Sequence, residues 1–239
     1  MNRAARISGG LASLLAVWGA TAIAAAAPPN AQTPATQKLA RLNHAAEAYS
    51  SPDAGATQLE RVSATRPITR ERTALPVLGM ATDLQGNVWL DVLLPGRPNS
   101  HAGWIPGSSA TLGATGWALT VHTSTRRVTA RHDGALVRTF KVVVGKSSTP
   151  TPGGRFFVEE SIKLEGWAVG APYALALSAR SNVLQEFAGG PGQIALHGTN
   201  NVGGLLGTAA SHGCIRLDTR AIVWLADRIP PGTPVRIMP

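Results

Sequence analysis

Ile194-Ala195-Leu196-His197-Gly198-Thr199 and, after a glycine-rich stretch from Asn200 to Gly207, Ser211-His212-Gly213-Cys214-Ile215-Arg216-Leu217 decide the fold of this 239-residue chain. Ile194 and Leu196 alternate as a half-buried strand requires, and His197-Gly198 falls where that strand gives way to the loop. The loop returns the chain to Cys214 just before a helix signal. Asp218 or Thr219 can cap that helix, Ile222, Leu225, Ala226 and Ile229 recur at helical spacing, and Pro230-Pro231-Gly232 stops it. A strand end and a loop thus present a histidine and a cysteine together.

Cys214 is the only cysteine, so no internal disulfide is possible and the thiol is left for intermolecular pairing, burial or reaction. A free thiol holds only a few per cent thiolate at neutral pH unless a base or a positive field acts on it. His197 and His212 are the candidate bases. Gly213 lets the backbone turn tightly beside the sulfur, which predicts that the amides of Gly213 and Cys214 converge as donors to an oxyanion. The rival chemistry is zinc held by His197, His212 and Cys214. Residues 212 and 214 are only two apart and no fourth ligand stands nearby, so we expect no metal, and nothing in the sequence indicates an organic cofactor. His44, His101, His122 and His132 lie outside the pattern and receive no role.

The N-terminal residues carry Arg3 and Arg6, then an uncharged run from Ile7 to Ala27 that ends in four alanines before Pro28-Pro29. This reads as a signal peptide, residues 1–27, cleaved at an Ala-x-Ala site. A retained anchor is the alternative, against which stands the weak apolarity of an Ala- and Gly-rich run. The expectation is export across the cytoplasmic membrane to the periplasm or cell wall.

The chain carries a formal net charge of +9 and the run to Ala27 removes only two basic residues, so the remainder stays basic. Such a balance suits an anionic surface, here an anionic cell wall. Lys and Arg are scattered, with Arg126-Arg127 the one adjacent basic pair, and no basic stripe marks a nucleic-acid partner.

Punctuation by turns divides the rest. Residues 28–50, rich in Ala, Thr, Gln and Pro, read as a linker with a short helix from Thr36 to Tyr49. Residues 51–113 hold short strand-like runs. Val88, Leu90, Val92 and Leu94 alternate after Gln85-Gly86-Asn87, a turn-rich loop spans Leu94 to Asn99, and Gly103-Trp104-Ile105-Pro106 follows. The size predicts a small SH3-like β-barrel, in which Trp89 and Trp104 either fill the core or bind a ligand. From residue 116 the pattern restarts. Trp117, Leu119 and Val121 alternate, and Asp133-Gly134 signals a hairpin. Gly145 and Pro150-Thr151-Pro152-Gly153-Gly154 then force a loop, and Val235 and Ile237 suit a closing strand. The fold class is mainly β, a sandwich or open barrel with one or two short helices, over residues 116–239.

Here the sequence resembles a known family. His197-Gly198-Thr199, Gly207 and Ser211-His212-Gly213-Cys214-Ile215-Arg216 look like the signature of the L,D-transpeptidase catalytic domain of bacterial cell-wall enzymes. The likeness runs over about residues 116–239 and includes Val142-Val143-Val144-Gly145 and Thr149-Pro150-Thr151-Pro152-Gly153. Residues 51–113 resemble the small SH3-like modules that precede some wall-modifying domains, above all in Gly96-Arg97-Pro98-Asn99 and Gly103-Trp104-Ile105.

The resemblance implies acyl transfer on peptidoglycan stem peptides. Cys214 attacks the carbonyl between the L-centre of a diamino acid and a terminal D-residue, and an amine of a neighbouring stem resolves the thioester into a 3→3 crosslink. Water or another amine as acceptor would give instead a carboxypeptidase, a crosslink hydrolase or attachment of protein to the wall. A wall-binding protein with a silent catalytic domain is the reading of a different class. By the same carry-over His197 is the base and the carbonyl of Gly198 holds its ring. His212 and Ser211 support the site, and carbapenem acylation is expected at Cys214. Arg216 fixes the loop, meets a substrate carboxylate, or is a buried ion-pair arginine. Tyr173 lines the stem-peptide groove or belongs to the core, and the stretch from Glu159 to Gly170 is a mobile lid unless Glu159-Glu160 marks a solvated surface.

Overall fold

The computed structural model describes residues 35–187 and 189–239; the expected signal peptide lies outside them. All described residues fall within one compact unit built on two large sheets.

The first sheet contains β1 (Gln37–Leu42), β2 (Ala46–Tyr49), β3 (Gln58–Val62), β4 (Ala74–Thr82), β5 (Val88–Leu93), β6 (Ala102–Pro106) and β7 (Ala110–Thr115). Its order is β3-β2-β6-β5-β4-β1-β7 and all its pairings are antiparallel. Two of these strands correct the sequence reading. Residues 37–49 are neither linker nor helix, because β1 is inserted between β4 and β7 and buries Leu39, Ala40 and Leu42, while Ala46 and Ala48 of β2 are buried too. An Ala-rich segment with good helical propensity yields to two flanking strands that satisfy its backbone, as tertiary pairing regularly outweighs propensity. Trp89 is core: it is 4% exposed, meets Tyr49 edge-on at 5.7 Å and donates from Nε1 to Asp83.

The second sheet is built from β8 (Trp117–His122), β9 (Arg127–His132) and β10 (Ala135–Lys141). It continues, after the short β11 (Val144–Gly145), with β12 (Gly154–Lys163), β13 (Tyr173–Arg180) and β14 (Gln193–Gly198). The short β15 (Ala209–Ser211) pairs with β11, and β16 (Ile215–Leu217), α1 (Thr219–Ala226) and β17 (Pro234–Met238) complete the chain. The order is β10-β9-β8-β17-β12-β13-β14-β16, with β17 parallel to β8 and β16 parallel to β14. Asp133 and Gly134 both take positive φ, 50° and 79°, as the tight turn between β9 and β10 requires. Asp218 caps α1 by accepting from the amide of Ala221 at 2.9 Å, and Ile222 and Leu225 are fully buried. Half-buried alternation and one capped helix thus produce a mainly β fold with a single α-helix among the described residues.

Within the second sheet, β12 has both faces covered. Phe156 and Val158 enter the core of the second sheet, whereas Phe157 packs with Leu42, Leu75, Leu90 and Ile105 of the first. The pair Glu159-Glu160 is therefore not a solvated surface, with exposures of 1% and 2%. Glu159 is gripped by Arg66, from the segment between β3 and β4, and by Arg180 of β13, the latter at 3.1 Å. Glu160 accepts from the amides of Ile68 and Thr69 at 3.1 and 2.8 Å and from the Thr69 hydroxyl. Buried carboxylates are tolerated when paired and hydrogen-bonded in this way.

Candidate active site

Strands β14 and β16 lie side by side in parallel register, Leu196 opposite Ile215 and His197 opposite Arg216. Ile194, Leu196, Ile215 and Leu217 point into the core, so alternation turns Gln193, Ala195, His197 and Arg216 to the other face, which is only half-buried. Cys214, two residues before Arg216, is half-buried on that same side.

The histidine is oriented by its own strand end. His197 Nδ1 lies 2.8 Å from the carbonyl oxygen of Gly198. A carbonyl can only accept, so Nδ1 carries the hydrogen and Nε2 keeps its lone pair for a proton. Burial is the main cause that lowers the imidazole pKa below 6.5; the Gly198 carbonyl opposes it and the Arg216 charge adds to it. The ring is neutral near physiological pH. Gly198 is itself fixed, its amide donating to Gly170 at 2.7 Å, and a Cβ there would fall 2.1 Å from the carbonyl oxygen of Ala171.

Cys214 Sγ lies 4.0 Å from the carbonyl oxygen of Gln193. Burial raises the thiol pKa, against which the backbone of Ala195 and the charge of Arg216 act. The two shifts favour the neutral form of each group, a thiol and an imidazole.

The turn that delivers the sulfur is over-determined. Gly213 has φ of +122°, a region that favours glycine, and a Cβ there would stand 2.9 Å from Ile194. Its amide donates to Ser211 Oγ at 3.1 Å, and that hydroxyl donates in turn to the Cys214 carbonyl at 2.6 Å. This corrects the expectation that the amides of Gly213 and Cys214 converge as free donors: the Gly213 amide is committed to Ser211 Oγ. Ser211, fully buried, is a part of the turn rather than a wall of the site. Thr151 Oγ1 donates to the Gly213 carbonyl at 2.8 Å while accepting from the Gly145 amide at 2.9 Å, and Thr149 Oγ1 donates to the Ser211 carbonyl at 3.3 Å.

The remaining expected residues separate. His212 is exposed and its ring stacks on Phe187 at 5.6 Å, and among the described residues no three His, Cys, Asp or Glu side chains are grouped to hold a metal. Arg216 pairs with no carboxylate among the described residues, which removes the ion-pair reading; it donates to the Gly203 carbonyl at 3.4 Å and exchanges backbone hydrogen bonds with Val143. Tyr173 sits on β13, partly buried against the main core. The stretch from Glu159 to Gly170 is not one lid: residues 159–163 belong to β12, and the loop after them is tied down by Asn201 Nδ2, which donates to Gly166 and Ala168 at 2.9 and 3.0 Å.

Gly170, Thr149 and Thr151 were not singled out as site residues by sequence reasoning. Gly170 has φ of +85°, and a Cβ there would stand 2.4 Å from His197 Nδ1, so it is the floor on which the ring rests. A glycine followed by Ala171-Pro172 was the available signal, and for the threonines it was two small hydroxyl residues inside a proline-rich turn.

Residues 116–237, which hold this turn, the oriented imidazole and most of the second sheet, match a family model described as the L,D-transpeptidase catalytic domain, YkuD. The chain belongs to that family. It is 29% identical over 151 residues to YkuD of Bacillus subtilis (strain 168), a protein that carries an L,D-transpeptidase name, covering 61% of this chain and 84% of the relative. It is 38% identical over 104 residues to the protein of the same name from Bacillus licheniformis, covering 44% and 54%. Among solved structures, L,D-transpeptidase 3 from Mycobacterium tuberculosis with a faropenem-derived adduct aligns at 17% identity and a TM-score of 0.44, covering 67% of this chain and 93% of that one.

Proposed function

We propose that this protein is a cysteine-dependent L,D-transpeptidase that forms 3→3 crosslinks between peptidoglycan stem peptides, working at the cell wall after export. The observation that carries the reading is the His197 ring, held by the Gly198 carbonyl so that a neutral Nε2 is available on the face that bears Cys214.

The reaction runs in two halves. His197 Nε2 takes the thiol proton as Cys214 Sγ attacks the stem-peptide carbonyl, and the oxyanion is met by the Cys214 amide. The tetrahedral intermediate collapses, the bond to the terminal D-residue breaks, and His197 gives its proton to the leaving amine. The amine of a second stem then attacks the thioester, His197 removes the proton it loses, and as the C–S bond breaks that proton passes to the departing Cys214 sulfur, restoring thiol and neutral imidazole. Arg216 supplies positive charge beside both reacting groups, which favours thiolate and keeps the imidazole unprotonated. A carbapenem would acylate the same sulfur by opening its lactam.

Disaccharide tetrapeptides incubated with the protein and analysed by mass spectrometry test this. A crosslinked dimer with loss of one terminal residue is the expected product. Tripeptide alone would make water the acceptor, and unchanged substrate would overturn the assignment.

A further inference from the structure

The loop from Pro95 to Ser100 leaves the first sheet and closes on the second. Arg97 donates from Nη1 to the Pro191 carbonyl at 3.0 Å, and from Nη2 to the carbonyls of Ser181 and Leu184 at 2.8 and 3.3 Å. Asn99 beside it donates to the Arg180 carbonyl at 2.7 Å and to Asn182 at 2.9 Å, and accepts from the Arg180 amide at 2.9 Å. The Gly96 amide donates to Ser178 at 3.1 Å. One guanidinium therefore draws together three carbonyls of the connection between β13 and β14. A planar fork of donors suits that task better than any other side chain.

That connection meets the turn carrying Cys214 at one point and leads into β14 beside the sulfur at another. Phe187 stacks on His212, two residues before Cys214, and the connection ends in Gln193, whose carbonyl is 4.0 Å from Sγ. Gly192, at φ of +65°, has no room for a Cβ, which would meet the Leu184 carbonyl at 2.0 Å, so the connection folds tightly on itself just where Arg97 grips it. Within the connection the visible ties are local ones, Ser181 Oγ accepting from the amides of Val183 and Leu184 and a backbone exchange between Phe187 and Gly190. Arg97 and Asn99 are the side chains that anchor it to the first module.

We propose that Arg97 is a positioning residue for the Cys214 site: from the first module it fixes the connection between β13 and β14, so that the wall carrying Phe187 and Gln193 is set for a peptide donor. The first module is then a working part of the active site and not merely a spacer. This rests on the reading of Cys214 as the transpeptidase nucleophile. A small alkylating reagent needs only the sulfur and its base, whereas a stem tetrapeptide needs the wall as well.

The test compares full-length wild type, Arg97→Ala and Arg97→Lys by three measurements: amide hydrogen exchange of residues 182–187, 189, 190 and 192, iodoacetamide alkylation of Cys214, and kcat/KM on disaccharide tetrapeptide. In Arg97→Ala the exchange rises in that connection and kcat/KM falls about tenfold, mostly through KM, while the alkylation rate is unchanged. Arg97→Lys, with one donor head in place of a fork, falls between. Unchanged exchange with unchanged kcat/KM overturns the proposal, as does an alkylation rate that falls in step with kcat/KM. Should wild type lack transpeptidation, the functional reading fails by itself, and the exchange comparison alone then decides whether Arg97 holds the connection. If Arg97→Ala does not fold, Arg97→Gln carries the same comparison.

Discussion

Thr151 donates its hydroxyl hydrogen to the carbonyl oxygen of Gly213 at 2.8 Å, so a residue 62 positions upstream fixes the backbone immediately before Cys214. The same hydroxyl accepts from the Gly145 amide, and a single oxygen thereby ties the turn after β11 to the turn that carries Cys214.

Thr151→Val keeps the shape and removes both hydrogen bonds, leaving a buried carbonyl and a buried amide unpaired. The expected loss of stability is about 1–3 kcal/mol in urea denaturation, with a slower acylation of Cys214 by a carbapenem. An unchanged acylation rate would mean that the turn is held without this hydroxyl.

Gly170→Ala tests the floor under the histidine. The added Cβ cannot share space with His197 Nδ1 and the φ of +85° is strained for alanine, so the ring must move. Tetrapeptide turnover is expected to fall by roughly 100-fold, the scale set by ångström-sized misplacement, with a retained far-ultraviolet circular dichroism spectrum.

The acid side of the pH profile follows from the histidine. Only neutral His197 accepts the thiol proton, and its pKa is lowered chiefly by burial, so activity persists below pH 6.5, where an ordinary imidazole would already be half protonated. The thiol pKa is raised, so alkylation by iodoacetamide increases with pH up to and beyond 9.0. Arg216→Gln removes a charge that lowers both values and should move both limbs upward. A wild-type alkylation midpoint near neutrality would indicate a preformed thiolate-imidazolium pair instead.

Glu159→Ala strips a carboxylate from between the buried Arg66 and the half-buried Arg180, removing the ion pair each makes with it. The expected cost is about 3–5 kcal/mol, read from the denaturation midpoint. Exchange of Glu159 for Gln should recover part of it, because an amide still accepts a hydrogen bond.

Much of the second sheet was legible beforehand because its signals are local. Asp133-Gly134 demands a tight turn, Asp218 caps a helix, and alternation in 194–197 places His197 on the outer face. Two failures have one cause. Residues 37–49 are shaped by pairing with β3, β4, β6 and β7, and Glu159-Glu160 by Arg66, Ile68 and Thr69 from the segment between β3 and β4; both take their structure from partners distant in sequence, which no local pattern announces. The misjudged Gly213 amide is different. Ser211 stands two residues before it, and a serine hydroxyl commonly captures the amide at that distance, so the signal was present in Ser211-His212-Gly213.

The central claim is that Cys214 carries the acyl group. Intact-mass spectrometry of the protein mixed with disaccharide tetrapeptide, in wild type and in Cys214→Ala, tests it most directly. The account predicts a wild-type adduct of the donor less its terminal residue, mapped to Cys214, and no adduct and no crosslinked dimer from Cys214→Ala. Crosslinked dimer produced by Cys214→Ala would contradict it.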